Sequence, residues 1–440
     1  MPKKSIAIVG GGIAGLTIAL EFAKTGKFRV TIFEKENQIG GLNSYYKQKD
    51  IVFDKFYHVI LPADVQMRKF IDELGLKDQI YWRSIKSGFF GKGKLVSMSS
   101  LLDFARFPFL SPLNKIRLGL GILYNSRIKK PQKLDEIYAK EWLSRNFGKS
   151  VFKSLWLPLL RSKLGDSYKT TSAAFIWAII DRLYGARKSS NKQEKMGYVE
   201  GGAYNILNAA EIKLRNMHVE IKTNACVHKV EATLAGRKPG IHVNSHKYEF
   251  DKVVLTIPCP EIIRIVNIVE SDPYWSTISE VGYLRLICVL LILSRKLSHY
   301  YVINLLDEEM PFTGIIESTN ILTPQELGEK HLVYLPKYFS FGDPIAELAD
   351  DEIKKLFIKK LKNIFPSLKD EEILHTVLFK EKHVQPIRPV RFLHNKVGFR
   401  TPLENVYLAN SYLVFDSTSN NNATIGLASS IAQQIINEDQ

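Results

Sequence analysis

The stretch IAIVGGGIAGLTIAL, residues 6–20, restricts the fold of this chain more than any other feature. Ile6, Ala7, Ile8 and Val9 form a short apolar run suited to a buried parallel strand, and Gly10, Gly12 and Gly15 follow at once. From Ile13 the apolar residues Leu16, Ile18, Ala19, Leu20 and Phe22 occupy nearly every side of a helix, the pattern of one buried between layers. Gly10 permits a tight turn, Gly12 lets the backbone approach a pyrophosphate, and Gly15 lets helix and strand pack closely. Free N–H groups at the helix N-terminus then face the phosphates. Gly26 closes the helix and residues 29–33 make a second apolar strand. Glu34 ends that strand about 20 residues past the loop, where a carboxylate accepts hydrogen bonds from ribose hydroxyls and disfavours a 2′-phosphate. The motif predicts a dinucleotide site on a strand–helix–strand unit.

Beyond Glu34 the chain departs from a nicotinamide dehydrogenase, which completes its nucleotide site within one such unit and continues with alternating strands and helices. KENQIGGLNS brings a second glycine pair, Gly40 and Gly41, able to turn backbone N–H groups toward the same pyrophosphate or a neighbouring ribityl chain. At the far end, residues 406–409 read as a buried strand, 410–422 as a polar loop and 423–436 as an apolar helix with asparagines at its start. The Gly10–Gly15 loop, Glu34, Gly40-Gly41 and the C-terminal ENVYLANSYLVFDSTSNNNATIGLASSIAQQI resemble the FAD-dependent flavin amine oxidase superfamily. That grouping includes protoporphyrinogen oxidases, carotenoid desaturases and, more distantly, UDP-galactopyranose mutase. FDKFYHVILPAD (53–64), WLPLLRSKLG (156–165) and GYVEGGAYNIL (197–207) are similar to its bacterial protoporphyrinogen oxidase-like subgroup.

The resemblance implies FAD as cofactor, held by Gly10, Gly12, Ile13, Ala14, Gly15, Glu34, Lys35, Gly40, Gly41, Leu42, Val227, Asn410, Asp416, Thr424 and Ile425. It sets the strand around 226–230 beside the adenine. It also turns the N–H groups near Thr424, Ile425 and Gly426 toward the flavin N1–C2=O edge, where charge accumulates on reduction. Phe415 stands where many relatives carry a proline-containing turn.

The expected fold is α/β: a discontinuous Rossmann-like FAD-binding domain (1–75, 196–265 and 396–440) with an inserted α+β substrate-binding domain (76–195 and 266–395). The first insertion reads as mostly helical, ending in a polar loop over 188–195; the second mixes strands such as 284–293 with a helix over 350–364. Cys226, Cys259 and Cys288 are scattered, which supports neither a disulfide framework nor a zinc site, and no other metal is expected. The N-terminus runs straight into the first strand, so no secretory leader is expected and the cytoplasm is the predicted location. The formal charge of +16 thickens after Arg106. Over 104–130 bases alternate with large apolar side chains, a pattern suited to peripheral contact with an anionic membrane or to an anionic or lipid-like small-molecule substrate, or simply to a solvated basic helix. Nucleic acid is not expected, because no binding module accompanies the charge.

Flavin chemistry needs little protein acid–base apparatus, so the candidate catalytic residues are few. His58 and Tyr57, in KFYHVIL, are candidates for positions beside the flavin; the alternative is a histidine satisfied inside the core. Arg161 and Lys163 interrupt the apolar WLPLLRSKLG, either to hold a substrate carboxylate or phosphate or to snorkel to the surface. Arg388 and Arg391 are candidates for the pocket mouth. The expected activity is dehydrogenation of a C–N or C–C bond, with hydride transfer from the substrate to flavin N5. The competing reading is a mutase-like isomerase of a nucleotide sugar, weakened by the single histidine between Phe53 and Asp64.

Overall fold

The computed structural model of the chain describes residues 3–125, 127–128, 131–188, 195–231, 238–266, 272–415 and 417–438. Residues 189–194, most of the polar stretch expected as a loop, and Asp416 lie outside the described residues. Among the described residues five strands form a parallel sheet in the order Val406–Leu408, Lys252–Leu255, Lys4–Val9, Phe28–Phe33, Glu220–Lys222. Lys4–Val9 is its central strand and Ile6, Ala7 and Ile8 are 0% exposed, which explains why the run is apolar without alternation. The first helix, Ile13–Lys24, lies against it, and the terminal helix, Asn421–Asn437, packs beside the first. Ser429 Oγ and Gln433 Nε2 donate to Glu21 across that contact. Strands from residues 4–33, 220–255 and 406–408 therefore meet in one layered unit of an α/β fold.

A second sheet of seven described strands runs Ile373–Pro386, Tyr283–Leu293, His331–Phe339, Gly314–Glu317, Val302–Leu305, Ser87–Gly91, Lys94–Ser97. Its pairings are antiparallel except that of Val302–Leu305 with Ser87–Gly91. Tyr283–Leu293 is apolar at almost every position because both of its faces are covered. Leu286, Cys288, Leu290 and Ile292 pack toward Phe53, Tyr334 and Phe379. The alternate set, Ile287, Val289, Leu291 and Leu293, meets Ile353, Phe357 and Leu361 of the helix Asp350–Ile364.

Residues 76–195 are mostly helical, as expected, but the segment opens with strands that were not expected. Ile80–Ser84, Ser87–Gly91 and Lys94–Ser97 are strands, the last two joined by Lys92 and Gly93, both at positive φ (49° and 71°) as a type I′ hairpin turn requires. Runs of four or five residues are too short for periodicity to separate strand from helix. Helices occupy most of the remainder from Leu101 and close around Trp142, Phe147 and Leu155.

Candidate cofactor site and active cavity

The glycine loop joins the central strand to the first helix. Gly10 sits at φ +109°, and a Cβ at Gly15 would fall 2.0 Å from the Gly10 carbonyl oxygen, so only hydrogen fits there. At Gly12 an added Cβ would meet nothing within 4 Å: the position faces open cavity. Glu34 is buried at the end of the second strand. Its Oε2 accepts the Gly11 N–H at 2.7 Å and its Oε1 the Glu36 N–H at 2.9 Å, leaving a lone pair on each oxygen for a ribose. The Glu34 carbonyl takes the Ala225 N–H, which brings Val227 to the same wall. Gly40 and Gly41 stand at φ 121° and 56°, accessible to glycine, and the Gly40 N–H donates to the Gly11 carbonyl. The start of the terminal helix is fastened here from two sides. Asn43 and Asn421 exchange amide hydrogen bonds, and Asn422 Oδ1 accepts the N–H groups of Gln66 and Met67.

From this end a cavity of about 1730 Å³ extends between the two sheets. Pockets for one drug-sized ligand run to roughly 300–1,000 Å³, so this one has room for a dinucleotide and a second molecule. His58 and Tyr57 line it. The His58 Nδ1 lies 2.9 Å from the Phe56 carbonyl, which can only accept, so Nδ1 carries the proton and Nε2 keeps its lone pair. Burial holds the His58 imidazole down at about 4, uncharged at neutral pH. The Tyr57 hydroxyl is 3.2 Å from that of Tyr338, and burial pushes its pKa well up. Lys163 reaches the cavity from the helix Leu157–Leu164 with Nζ 5.6 Å from the Tyr338 ring centre. Burial, then the Arg182 charge, lowers its pKa. Arg182 lines the same space, pairs with Asp64 at 3.1 Å and has, among the described residues, no hydrogen-bond partner for its buried Nε. The buried indole N–H of Trp156, another lining residue, also has no partner among the described residues. Lys163, Arg182 and Trp156 therefore present cationic and N–H donors to the cavity.

The sequence profile of the flavin-containing amine oxidoreductase family matches residues 13–420, all but the two ends of the chain. The chain belongs to this family. Its cofactor is FAD, and the glycine loop, the Glu34 lone pairs and the open face at Gly12 fit that group. Among curated proteins the chain is 25% identical over 297 residues to a 4,4'-diapophytoene desaturase from Staphylococcus haemolyticus, covering 60% of this chain and 58% of that one. It is 24% identical over 289 residues to coproporphyrinogen III oxidase of Staphylococcus aureus, covering 58% and 60%. The matches thus span less than two thirds of these relatives. A solved structure provisionally assigned as a protoporphyrinogen oxidase from Exiguobacterium superposes over 100% of both chains with a TM-score of 0.79 at 16% identity. Reduced UDP-galactopyranose mutase does so over 99% of this chain and 94% of its own, at 0.74 and 12%. Both share the fold.

Within this flavin amine oxidoreductase fold, Gly10, Gly12, Ile13, Ala14, Glu34, Lys35, Gly40, Gly41, Leu42, Val227, Asn410 and Thr424 line the cavity together with His58, Tyr57 and Lys163. Gly15 stands behind the loop as a packing position. Asn410 has its amide committed to protein: Nδ2 donates to the Ile257 carbonyl and Oδ1 accepts the Tyr412 N–H. Two expectations are corrected, for Arg161 and for the pair Arg388 and Arg391. Arg161 lies off the cavity and pairs with Glu308 at 2.6 Å on the surface, because its helix turns it away from Lys163 two residues on. At the start of the terminal helix the Ile425 side chain is buried in the core while Asn421, Asn422 and Thr424 line the cavity, which leaves the expectation for the backbone N–H groups there as it stood. Arg388 is buried and donates to the Ser417 carbonyl and Ser419 Oγ, bracing the loop before the terminal helix, while Arg391 is exposed; neither lines the cavity.

Sequence reasoning missed Arg182, Asp64, Tyr338 and Asp54. Asp54 lines the cavity while accepting the Ala203 N–H at 2.8 Å, and burial raises its carboxyl to about 7. A charged residue inside an apolar run is the available signal for Arg182; Tyr338 has none, since it meets Tyr57 only through the fold.

Proposed function

We propose that the chain is an FAD-dependent oxidoreductase of the protoporphyrinogen oxidase-like type that dehydrogenates a C–N or C–C bond of a small molecule, the hydride leaving a C–H carbon for the flavin and the proton leaving the neighbouring atom for water. The observation that carries this reading is the single cavity running from the glycine loop and Glu34, past His58, to Lys163 and Arg182. FAD bound along it supplies the hydride acceptor, its N5. Backbone groups of Gly12, Ile13, Ala14, Gly40 and Gly41 hold the phosphates, Glu34 a ribose, and the asparagine-fastened start of the terminal helix the ring end. His58, held uncharged, accepts a hydrogen bond through Nε2 and is too weak a base to store a proton at neutral pH. Lys163, Arg182 and the Trp156 N–H orient an anionic or acceptor-rich part of the substrate. The division into an FAD-binding domain (1–75, 196–265, 396–440) and a substrate-binding domain (76–195, 266–395) belongs to this reading. So do a cytoplasmic location and peripheral membrane contact through the basic 104–130 segment.

The test is direct. Purified protein is expected to be yellow and to release FAD on denaturation, and anaerobic titration with amines, porphyrinogens or polyprenoids is expected to bleach the flavin absorbance. Protein that stays colourless and cannot be reconstituted with FAD would overturn the proposal. The cationic end also favours a second reading, an isomerase of a nucleotide sugar; turnover of such a sugar only after chemical reduction of the flavin would select it.

A further inference from the structure

The helix Pro112–Asn125 is apolar on two opposite faces. On the inner one Leu118, Gly121 and Asn125 are buried, and Leu118 and Ile122 line the cavity, continuing its wall with Leu155, Leu159 and Ile179. Gly121 lies so close to Phe147 that a Cβ would come within 2.6 Å of the ring, which fixes how the helix sits. On the outer face Leu113, Ile116, Leu120, Leu123 and Tyr124 are 47 to 75% exposed. Their spacing of three and four residues makes one continuous stripe. With Leu101 and Leu102 on the preceding helix, Leu101–Arg106, residues 101–124 hold seven of the 13 exposed large hydrophobic side chains among the described residues. Scattered apolar side chains on a surface need no explanation, but a stripe of this kind does.

Its charge says what covers it. Between residues 101 and 128 the chain carries Arg106, Lys115, Arg117 and Arg127 against Asp103 alone. Asp103 is spent on Ser97 Oγ and the Ser99 N–H. Lys149 and Lys153, also exposed, lie just beyond, and Ser150 between them hydrogen-bonds Asn114 of this helix. An apolar stripe accompanied by cations matches the boundary between acyl chains and anionic headgroups. Among the described residues no helix is long and apolar enough to cross a membrane, so the contact is one of lying on the surface.

We propose that the outer face of the 112–125 helix docks on an anionic lipid bilayer. Docking of this kind leaves one helix, about 10 Å across, between the acyl chains and the apolar limb of the cavity. A substrate dissolved in the bilayer then reaches the cavity past Leu118 and Ile122, apolar body in that limb and polar end toward Lys163. This step deepens the reading of the cavity as the substrate site and rests on it; the docking surface does not.

The experiment is flotation of the flavin-loaded full chain with phosphatidylcholine vesicles, with and without phosphatidylglycerol, alongside sedimentation velocity and flavin content. The chain is expected to float with the anionic vesicles and to be released by high salt. Ile116→Glu with Leu120→Glu changes only exposed positions, keeps the flavin, and is expected to weaken vesicle binding at least about tenfold. Arg106→Gln and Arg127→Gln are each expected to weaken it about fivefold on anionic vesicles only. A chain that stays in the aqueous phase with every vesicle, a double variant that floats like wild type, or a dimer abolished by that variant would overturn the docking proposal. Each outcome is read on yellow protein, so it is distinct from failure of the flavin reading.

Discussion

Replacing Gly12 and Gly15 by alanine one at a time separates the two things glycine does in the loop. A Cβ at Gly15 would stand 2.0 Å from the Gly10 carbonyl oxygen and 3.3 Å from Ile8 Cγ2, whereas real Cβ contacts essentially never fall below 3.0 Å. The first helix and central strand must therefore part by about 1 Å, and because the obstacle is backbone no side chain can rotate aside. Overpacking costs typically about 1–3 kcal/mol, and a rigid obstacle puts Gly15→Ala at the upper end. At Gly12 no described residue lies within 4 Å of the new methyl and φ is −73°, ordinary for any L residue. Losing glycine from the start of a helix costs at most about 1 kcal/mol. The methyl instead projects into the space where the pyrophosphate lies, and FAD affinity is expected to fall at least about tenfold, or 1.4 kcal/mol. Urea unfolding of the apoproteins reads the first effect and fluorescence titration with FAD the second. A wild-type FAD affinity for Gly12→Ala, or an unchanged unfolding midpoint for Gly15→Ala, would refute the reasoning.

Glu34→Ala removes the acceptor from the Gly11 and Glu36 N–H groups, so apoprotein stability is expected to fall by about 1–3 kcal/mol and FAD binding to weaken, both by the same two assays. Asp54 has a folded pKa near 7, above its unfolded value, so its contribution is full at acid pH and is lost as pH rises toward 7. Asp54→Asn, which keeps an acceptor for Ala203, is expected to flatten the decline in melting temperature between mildly acid and neutral pH; an unchanged slope counts against the assignment. Lys163 has a lowered pKa, so wild-type stability is expected to gain as pH rises toward the unfolded lysine value. Lys163→Met is expected to melt higher at neutral pH and to lose that gain in a thermal shift series. Arg161→Met, which breaks an exposed ion pair, is expected to shift stability by less than about 0.5 kcal/mol and to leave flavin reduction unchanged.

The two ends of the cavity were not equally legible in the sequence, and the reason is physical. Phosphates and ribose are held largely by backbone, and backbone recognition leaves a local imprint: a glycine wherever φ is positive or a Cβ has no room, as at Gly10, Gly15, Gly40 and Gly41, and an acid at the end of the next strand. The central strand and first helix carry the same local stamp, as does the terminal helix, whose apolar residues are set by burial. The substrate end is built from side chains that only the fold brings together. Arg182 meets Asp64 across 118 residues and Tyr57 meets Tyr338 across 281, and neither member of either pair has a neighbour in sequence that announces the other. Where local pattern and tertiary role part company, a residue-by-residue reading errs by a short distance: Arg161 and Lys163 stand two positions apart on one helix, and the helical turn alone sends one to Glu308 on the surface and the other into the cavity. The same geometry explains the 112–125 helix, whose two apolar faces blur into one amphipathic run in sequence and become distinct only when one is seen to wall the cavity and the other to meet solvent.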